Sequence, residues 1–211
     1  MRRLALGVFF GVAALIVGLS VSLYLWQPAP LDIEINGIYL AEPRPVNQVT
    51  LIDDQAEPFV IDDFKNHWSV LFFGYTFCPD ICPTTLAELN QVDRYLTDQQ
   101  QGEGLVYYMV SVDPNRDTPE RLKQYTGYFN PEFRGLTGTA EALDEFAKPL
   151  GIYYSVPEDP EDPENYPVDH SGALVVLNPD GELQAVFTPP FDTKTLADDL
   201  VAVRQQYAKT H

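Results

Sequence analysis

A chain of 211 residues with 45% hydrophobic and 12% aromatic content has enough apolar side chain for one buried core, which excludes a disordered polymer. Its formal net charge of −18, from 13 basic against 31 acidic residues, argues against any nucleic-acid partner. The acidity keeps a folded body soluble, and steering of a cationic partner or metal is the sharper alternative.

The first segment is apolar. From Leu4 to Trp26 no residue is charged, and these 23 residues at a rise of about 1.5 Å each extend about 34 Å, enough to cross the hydrocarbon core of a bilayer. Arg2 and Arg3 precede the run. By the positive-inside rule they hold the N-terminus in the cytoplasm, and Tyr24 and Trp26 sit as interfacial anchors on the far side. A cleaved secretory signal is the competing reading, but its apolar region would be unusually long and no A-x-A site closes it. The expected arrangement is a cytoplasmic tip and transmembrane anchor over residues 1–26 in the inner (cytoplasmic) membrane, crossing once, with the rest in the periplasm. Without Arg2 and Arg3 the remainder carries 11 basic against 31 acidic residues, a balance of −20.

Residues 27–45 hold Pro28, Pro30, Pro43 and Pro45 and are expected to form a tether, with an alternating run from Ile33 to Leu40 that suits an edge strand or an ordered arm. The globular domain is expected over 46–211. Val49–Ile52 and Phe59–Ile61 flank a polar turn and read as a hairpin. Ser69–Tyr75 is an unbroken apolar run, the pattern of a strand covered on both faces. Pro83 can open a helix with Leu86, Leu89, Val92 and Leu96 on its core face.

Leu105–Val112 is a second buried strand. Asp117 or Thr118 can cap a helix starting at Pro119, with Leu122, Tyr125 and Phe129 along one side. A third helix fits Ala140–Leu150. Ala173–Leu177 and Leu183–Phe187 enclose Asn178-Pro179-Asp180-Gly181, the turn of a hairpin, and Thr195–Tyr207 closes the chain as a helix. Strands alternating with helices indicate an α/β fold with a central mixed sheet. Glu158–Glu164 (EDPEDPE) reads as a solvated surface insertion.

The chain has two cysteines, Cys78 and Cys82, in Cys-Pro-Asp-Ile-Cys. A disulfide between them would close too short a loop to restrict the unfolded chain much, so the spacing favours metal or regulated redox chemistry over a structural bridge, although the bridge stays geometrically open. The motif lies between a central strand and a helix, where unpaired N–H groups favour thiolate over thiol. Residues four apart share a helical face, which would aim both sulfurs at one ligand.

Of the three histidines, His211 is terminal and His67 lies in a polar turn. His170, in Val168-Asp169-His170-Ser171, immediately precedes a strand, in the loop that would face the cysteine helix in a thioredoxin-type sheet. A lone histidine is more often structural than ligating, and its placement keeps the ligand reading open. Two thiolates and one imidazole suit Cu(I), whereas structural zinc takes four ligands. Asp80 can add a weak oxygen ligand to a harder ion such as Cu(II), but an exposed acid beside the helix N-terminus is its simpler role.

Gly74-Tyr75-Thr76-Phe77-Cys78-Pro79-Asp80-Ile81-Cys82-Pro83, then Ser111-Val112-Asp113-Pro114-Asn115-Arg116-Asp117-Thr118-Pro119, then Asp169-His170-Ser171 closely resemble, in order and spacing, the Sco/SenC family of copper-binding assembly factors. Gly37–Leu40 and Pro43–Pro45 extend the resemblance over most of the chain beyond the anchor. It implies a thioredoxin-like fold and a copper ion held by Cys78, Cys82 and His170. It further implies a chaperone rather than an enzyme, which delivers copper to the binuclear copper site of cytochrome c oxidase subunit II or prepares that site by redox chemistry. Phe77 stands where many members have a histidine. A thioredoxin would carry a cis-proline before the strand that here follows Asp169-His170-Ser171, and no proline lies between Pro167 and Pro179.

In an oxidising compartment a disulfide would abolish copper binding, which implies a thiol reductant of thioredoxin-like type as a second partner. The rival reading is a thiol-disulfide oxidoreductase or peroxidase working through the two cysteines without metal; a redox or copper sensor is a third.

Overall fold

The computed structural model describes residues 11, 13–22, 33–157 and 160–210. The chain divides into two units, Met1–Asp32 and Ile33–His211. In the first, residues 13–22 are helical. No helix among the described residues is long and apolar enough to cross a membrane; both ends of the expected span, with Tyr24 and Trp26, lie outside the described residues.

The second unit is an eight-stranded mixed sheet with helices packed on it. In chain order the elements are β1 (Ile38–Arg44), β2 (Thr50–Asp53), β3 (Pro58–Val60), β4 (Trp68–Gly74), α1 (Ile81–Asp98), β5 (Leu105–Ser111), α2 (Pro119–Phe129), β6 (Arg134–Thr137), α3 (Ala140–Ala147), β7 (Tyr154–Ser155), β8 (Asp169–His170), β9 (Leu174–Leu177), β10 (Leu183–Phe187) and α4 (Thr193–Thr210). The sheet order is β1-β10-β9-β4-β5-β6-β2-β3, with β7 and β8 as a separate two-stranded ribbon. Strand β4 runs parallel to β5, and β5 to β6; every other pair is antiparallel.

The unbroken apolar run becomes the middle of this sheet. All seven residues of β4 are buried, because β9 and β5 pair with it on either side and helices cover both faces. Alternation then decides which layer each side chain enters. Phe73 meets Phe146 of α3, ring centroids 5.8 Å apart, and Phe146 stacks on Phe64 at 5.8 Å. Phe72 and Gly74 face the opposite layer, toward α1. Leu86, Leu89, Val92 and Leu96 of α1 are all at most 1% exposed, the apolar stripe expected from their spacing, and α1 packs against α4.

The edge strand or ordered arm expected from Ile33 to Leu40 forms as a strand shifted along the chain: Ile38–Arg44 pairs with β10 and closes one edge of the sheet, and Asn36 donates its backbone N–H to Asp199 of α4 at 2.9 Å. Two features differ from the sequence reading. The short strand β6 has no alternating pattern to announce it; its register with β5 and β2 holds it. Helix α1 begins at Ile81, two residues before Pro83. The hairpin turn forms as expected: Gly181 adopts a positive φ of 78°, and the Asn178 side chain accepts from the N–H groups of Asp180 and Glu182, both at 3.0 Å.

Because Phe146 joins α3 to two aromatic partners beneath the sheet, Phe146→Ala is expected to cost about 3–5 kcal/mol in denaturant unfolding of the reduced chain. A loss below about 1 kcal/mol would show that this layer repacks freely.

Candidate metal centre

The site forms where β4 runs out. After Gly74 the chain turns, with the Cys78 N–H donating to the Tyr75 carbonyl at 3.2 Å, and α1 starts behind Asp80, which caps it without a side-chain hydrogen bond. Cys78 therefore lies before the helix, and only Cys82 is inside its first turn. The sulfurs converge through this turn rather than through the shared helical face expected from their spacing, and the Cys82 N–H points at Cys78 Sγ, 3.5 Å away. Cys82 is buried, Cys78 is half-buried, and both are free thiols. Gly74 makes room for the inner sulfur: a Cβ at that position would lie 2.6 Å from Cys82 Sγ and 2.9 Å from the Phe72 ring.

His170 approaches from β8, not from an open loop. It pairs with Tyr154 of β7, and the next residue donates its N–H to the Tyr153 carbonyl at 2.9 Å. The imidazole Nε2 stands 3.4 Å from Cys82 Sγ. Nδ1 lies 3.4 Å from the Ser171 carbonyl, so a metal-loaded imidazole can keep its proton there and offer Nε2 to the ion, whereas in the metal-free site Nε2–H can donate toward the sulfurs. Phe72 and Tyr75 meet the imidazole in T-shaped contacts, centroids 6.0 and 5.7 Å away.

The two Sγ atoms and a His170 ring nitrogen all lie within 4.8 Å of one another, and no other group of His, Cys, Asp or Glu among the described residues is so placed. One ion with bonds of about 2.0–2.3 Å, the lengths imidazole and thiolate make to zinc, reaches all three with little contraction. The donor set is soft, and no fourth protein ligand joins it among the described residues. His67 is half-buried and serves the fold, its Nε2 bonded to the Tyr108 hydroxyl at 3.0 Å and Nδ1 to the Lys65 carbonyl at 3.1 Å. His211 lies outside the described residues.

The thiols divide one proton between them. The Cys78 thiol is held down at about 4, chiefly because Cys82 donates a hydrogen bond to its thiolate, with His170 and the backbone N–H groups of Asp80 and Cys82 helping against the cost of burial. Cys82 moves upward, since it keeps the proton that it donates and since it is buried.

Two buried acids lie behind the site: Asp113, to which the sequence reading gave no role beyond its motif, and Asp117, which it offered beside Thr118 as a helix cap. Asp117 does not cap α2; Thr118 does, accepting from the Arg121 N–H at 3.3 Å. Asp117 instead accepts from the N–H and hydroxyl of Thr76 at 2.9 and 2.5 Å, and from the Ser111 hydroxyl at 2.6 Å, tying the end of β5 to the turn before Cys78. Asp113 accepts from the Tyr166 hydroxyl at 2.7 Å. Two acids within five residues after a buried strand were the available signal, because such acids are buried only when paired or hydrogen-bonded. At the rim, Phe77 and Ile81 are 38% and 37% exposed, and the Arg116 and Arg121 guanidiniums flank the Phe77 ring at 4.7 and 4.5 Å.

The reduced, metal-free chain should therefore show one thiolate absorbance near neutrality that is lost only as pH falls toward about 4, and alkylation there should label Cys78 and spare Cys82. A single absorbance step in the ordinary thiol range, at about 8–9, with both cysteines labelled together, would contradict this division.

Comparison with known proteins identifies the family of the chain. The SCO1/SenC family model matches residues 41–205. A protein of Stutzerimonas stutzeri whose given name refers to copper binding is 38% identical over 169 residues, covering 80% of this chain and 81% of that protein. Among solved structures, Arabidopsis thaliana ScoI with copper bound is 30% identical with a TM-score of 0.70, covering 77% of this chain and 99% of that one. Yeast Sco1 with copper bound is 30% identical with a TM-score of 0.71, covering 80% and 91%. With a family model spanning more than half its length and relatives alike in sequence and fold, the chain belongs to the SCO1/SenC family.

Proposed function

We propose that the chain is a copper metallochaperone that carries one ion on Cys78, Cys82 and His170 and assists assembly of the binuclear copper site of cytochrome c oxidase subunit II. The observation that carries this reading is the convergence of two sulfurs and one imidazole nitrogen within 4.8 Å, in a family whose solved members include copper-bound forms. The chemistry follows from exposure. Cys82 is sealed against Gly74, while Cys78 and His170 are half-buried and open to an incoming ligand. A partner's thiolates can replace these donors one at a time, so the ion moves without being released free.

The same proposal takes residues 1–26 as an anchor in the inner membrane, 27–45 as a tether whose last part joins the sheet as β1, and 46–211 as the rest of the copper-binding domain in the periplasm. Its support is the uncharged stretch from Leu4 to Trp26 behind Arg2 and Arg3. In an oxidising compartment a disulfide oxidant takes two electrons and two protons from the two thiols, which join as a disulfide while the oxidant becomes a dithiol. A dithiol partner of thioredoxin-like type restores them and takes the disulfide itself.

A second reading, a thiol-disulfide oxidoreductase without metal, is favoured by the lowered Cys78 thiol. It has little need of His170. Anaerobic titration of the reduced full chain should load one copper ion per chain. His170→Ala should abolish stable copper binding, a loss larger than the about ten- to hundredfold typical of removing a group that only orients a ligand, while disulfide exchange continues. Unchanged copper affinity in His170→Ala, or no copper bound by the native chain, would favour the oxidoreductase.

A further inference from the structure

Arg116 is a buried cation that copper binding does not itself explain. Its side chain is 6% exposed and its Nε donates to the fully buried Asp113 at 2.5 Å. Its Nη2 is buried with no hydrogen-bond partner. Burying a guanidinium this way is a poor route to stability, because apolar side chains of similar volume serve as well or better. A role in holding particular segments together fits its contacts more closely.

Those contacts fall on both arms of the site. Toward the cysteines, the guanidinium lies 4.7 Å from the ring centroid of Phe77, the residue before Cys78, and 5.6 Å from that of Tyr75. Toward the histidine, it lies over the Tyr166 ring, 3.4 Å from the centroid. The Tyr166 hydroxyl donates to the same Asp113 carboxylate at 2.7 Å, so Arg116, Tyr166 and Asp113 form a closed ring of contacts.

From Tyr166 burial alternates along the chain: Tyr166 and Val168 are buried, Pro167 and Asp169 exposed. With a period of two, His170 falls on the inward side. Midway, the Val168 N–H donates to the Tyr75 hydroxyl at 3.3 Å, and the Tyr75 ring meets the imidazole edge to face.

Resting on the copper reading above, we propose that Arg116 is a positioning residue: stacked on Tyr166 and Phe77 and paired with Asp113, it clamps the segment leading to His170 against the turn carrying Cys78, so that the three donors converge before an ion arrives. The test uses the reduced full chain with Arg116→Ala and Arg116→Lys. The lysine keeps the charge beside Asp113 but has no planar face to stack. Competition against a Cu(I) chelator should show both variants weakened by about ten- to hundredfold, with helical content retained by circular dichroism. If Arg116 acts through the imidazole, the same substitutions in a His170→Ala background should change the residual affinity by less than about threefold.

In the metal-free chain, NMR contacts between the His170 ring and the rings of Phe72 and Tyr75 should weaken in both variants. Native affinity and native ring contacts in Arg116→Lys, or an equal loss of affinity in both backgrounds, would overturn the clamp. A native chain that takes up no copper would overturn the copper reading instead, and the ring contacts would still decide for or against the clamp.

Discussion

The seating of the Cys82 sulfur against Gly74 is the constraint on which the site depends. A side chain at the end of β4 would occupy the space that the sulfur needs, and without that seat α1 could not start so close to the strand. The seat also decides exposure. One cysteine is sealed between sheet and helix, the other is only half-buried, and the imidazole stands beside the sealed sulfur. Cysteines equally exposed would share neither the proton nor the division of labour between holding and exchanging an ion.

The platform beneath this seat is indifferent to copper. β4 is buried along its whole length, aromatic rings fill the layer toward α3, and leucines and a valine of α1 fill the other. Such packing is rigid enough to hold small groups in place, and it leaves the chemistry to residues beyond the strand ends, where backbone N–H groups and short turns are available. The apolar rim of Phe77 and Ile81 belongs to the same pattern, with the fold supplying position and the turns supplying contact.

Much of this was legible in residue order. SVLFFGY reads as a doubly covered strand because no polar residue interrupts it, and Leu86, Leu89, Val92 and Leu96 read as one helical face because their spacing follows the turn of the helix. The cysteines and His170 stood out by residue type and position. What was not legible depended on partners distant in sequence. Arg116 and Tyr166 meet across fifty positions, and nothing local in either segment declares the pairing. The reason for the sulfurs' convergence was hidden similarly: spacing suggested a helical face, whereas a turn bonded to Tyr75 produces it. β6 was missed because four residues held by their neighbours carry no periodicity of their own.

The central claim is that two sulfurs and one nitrogen share a single cation. X-ray absorption at the copper edge of the loaded, reduced full chain addresses it directly, because sulfur and imidazole scatterers are separable by distance and by the outer-shell pattern of the imidazole ring. The account predicts two sulfur neighbours and one imidazole nitrogen, with the imidazole pattern lost in His170→Ala. A shell of sulfur alone in the native chain, unchanged by that substitution, would contradict it.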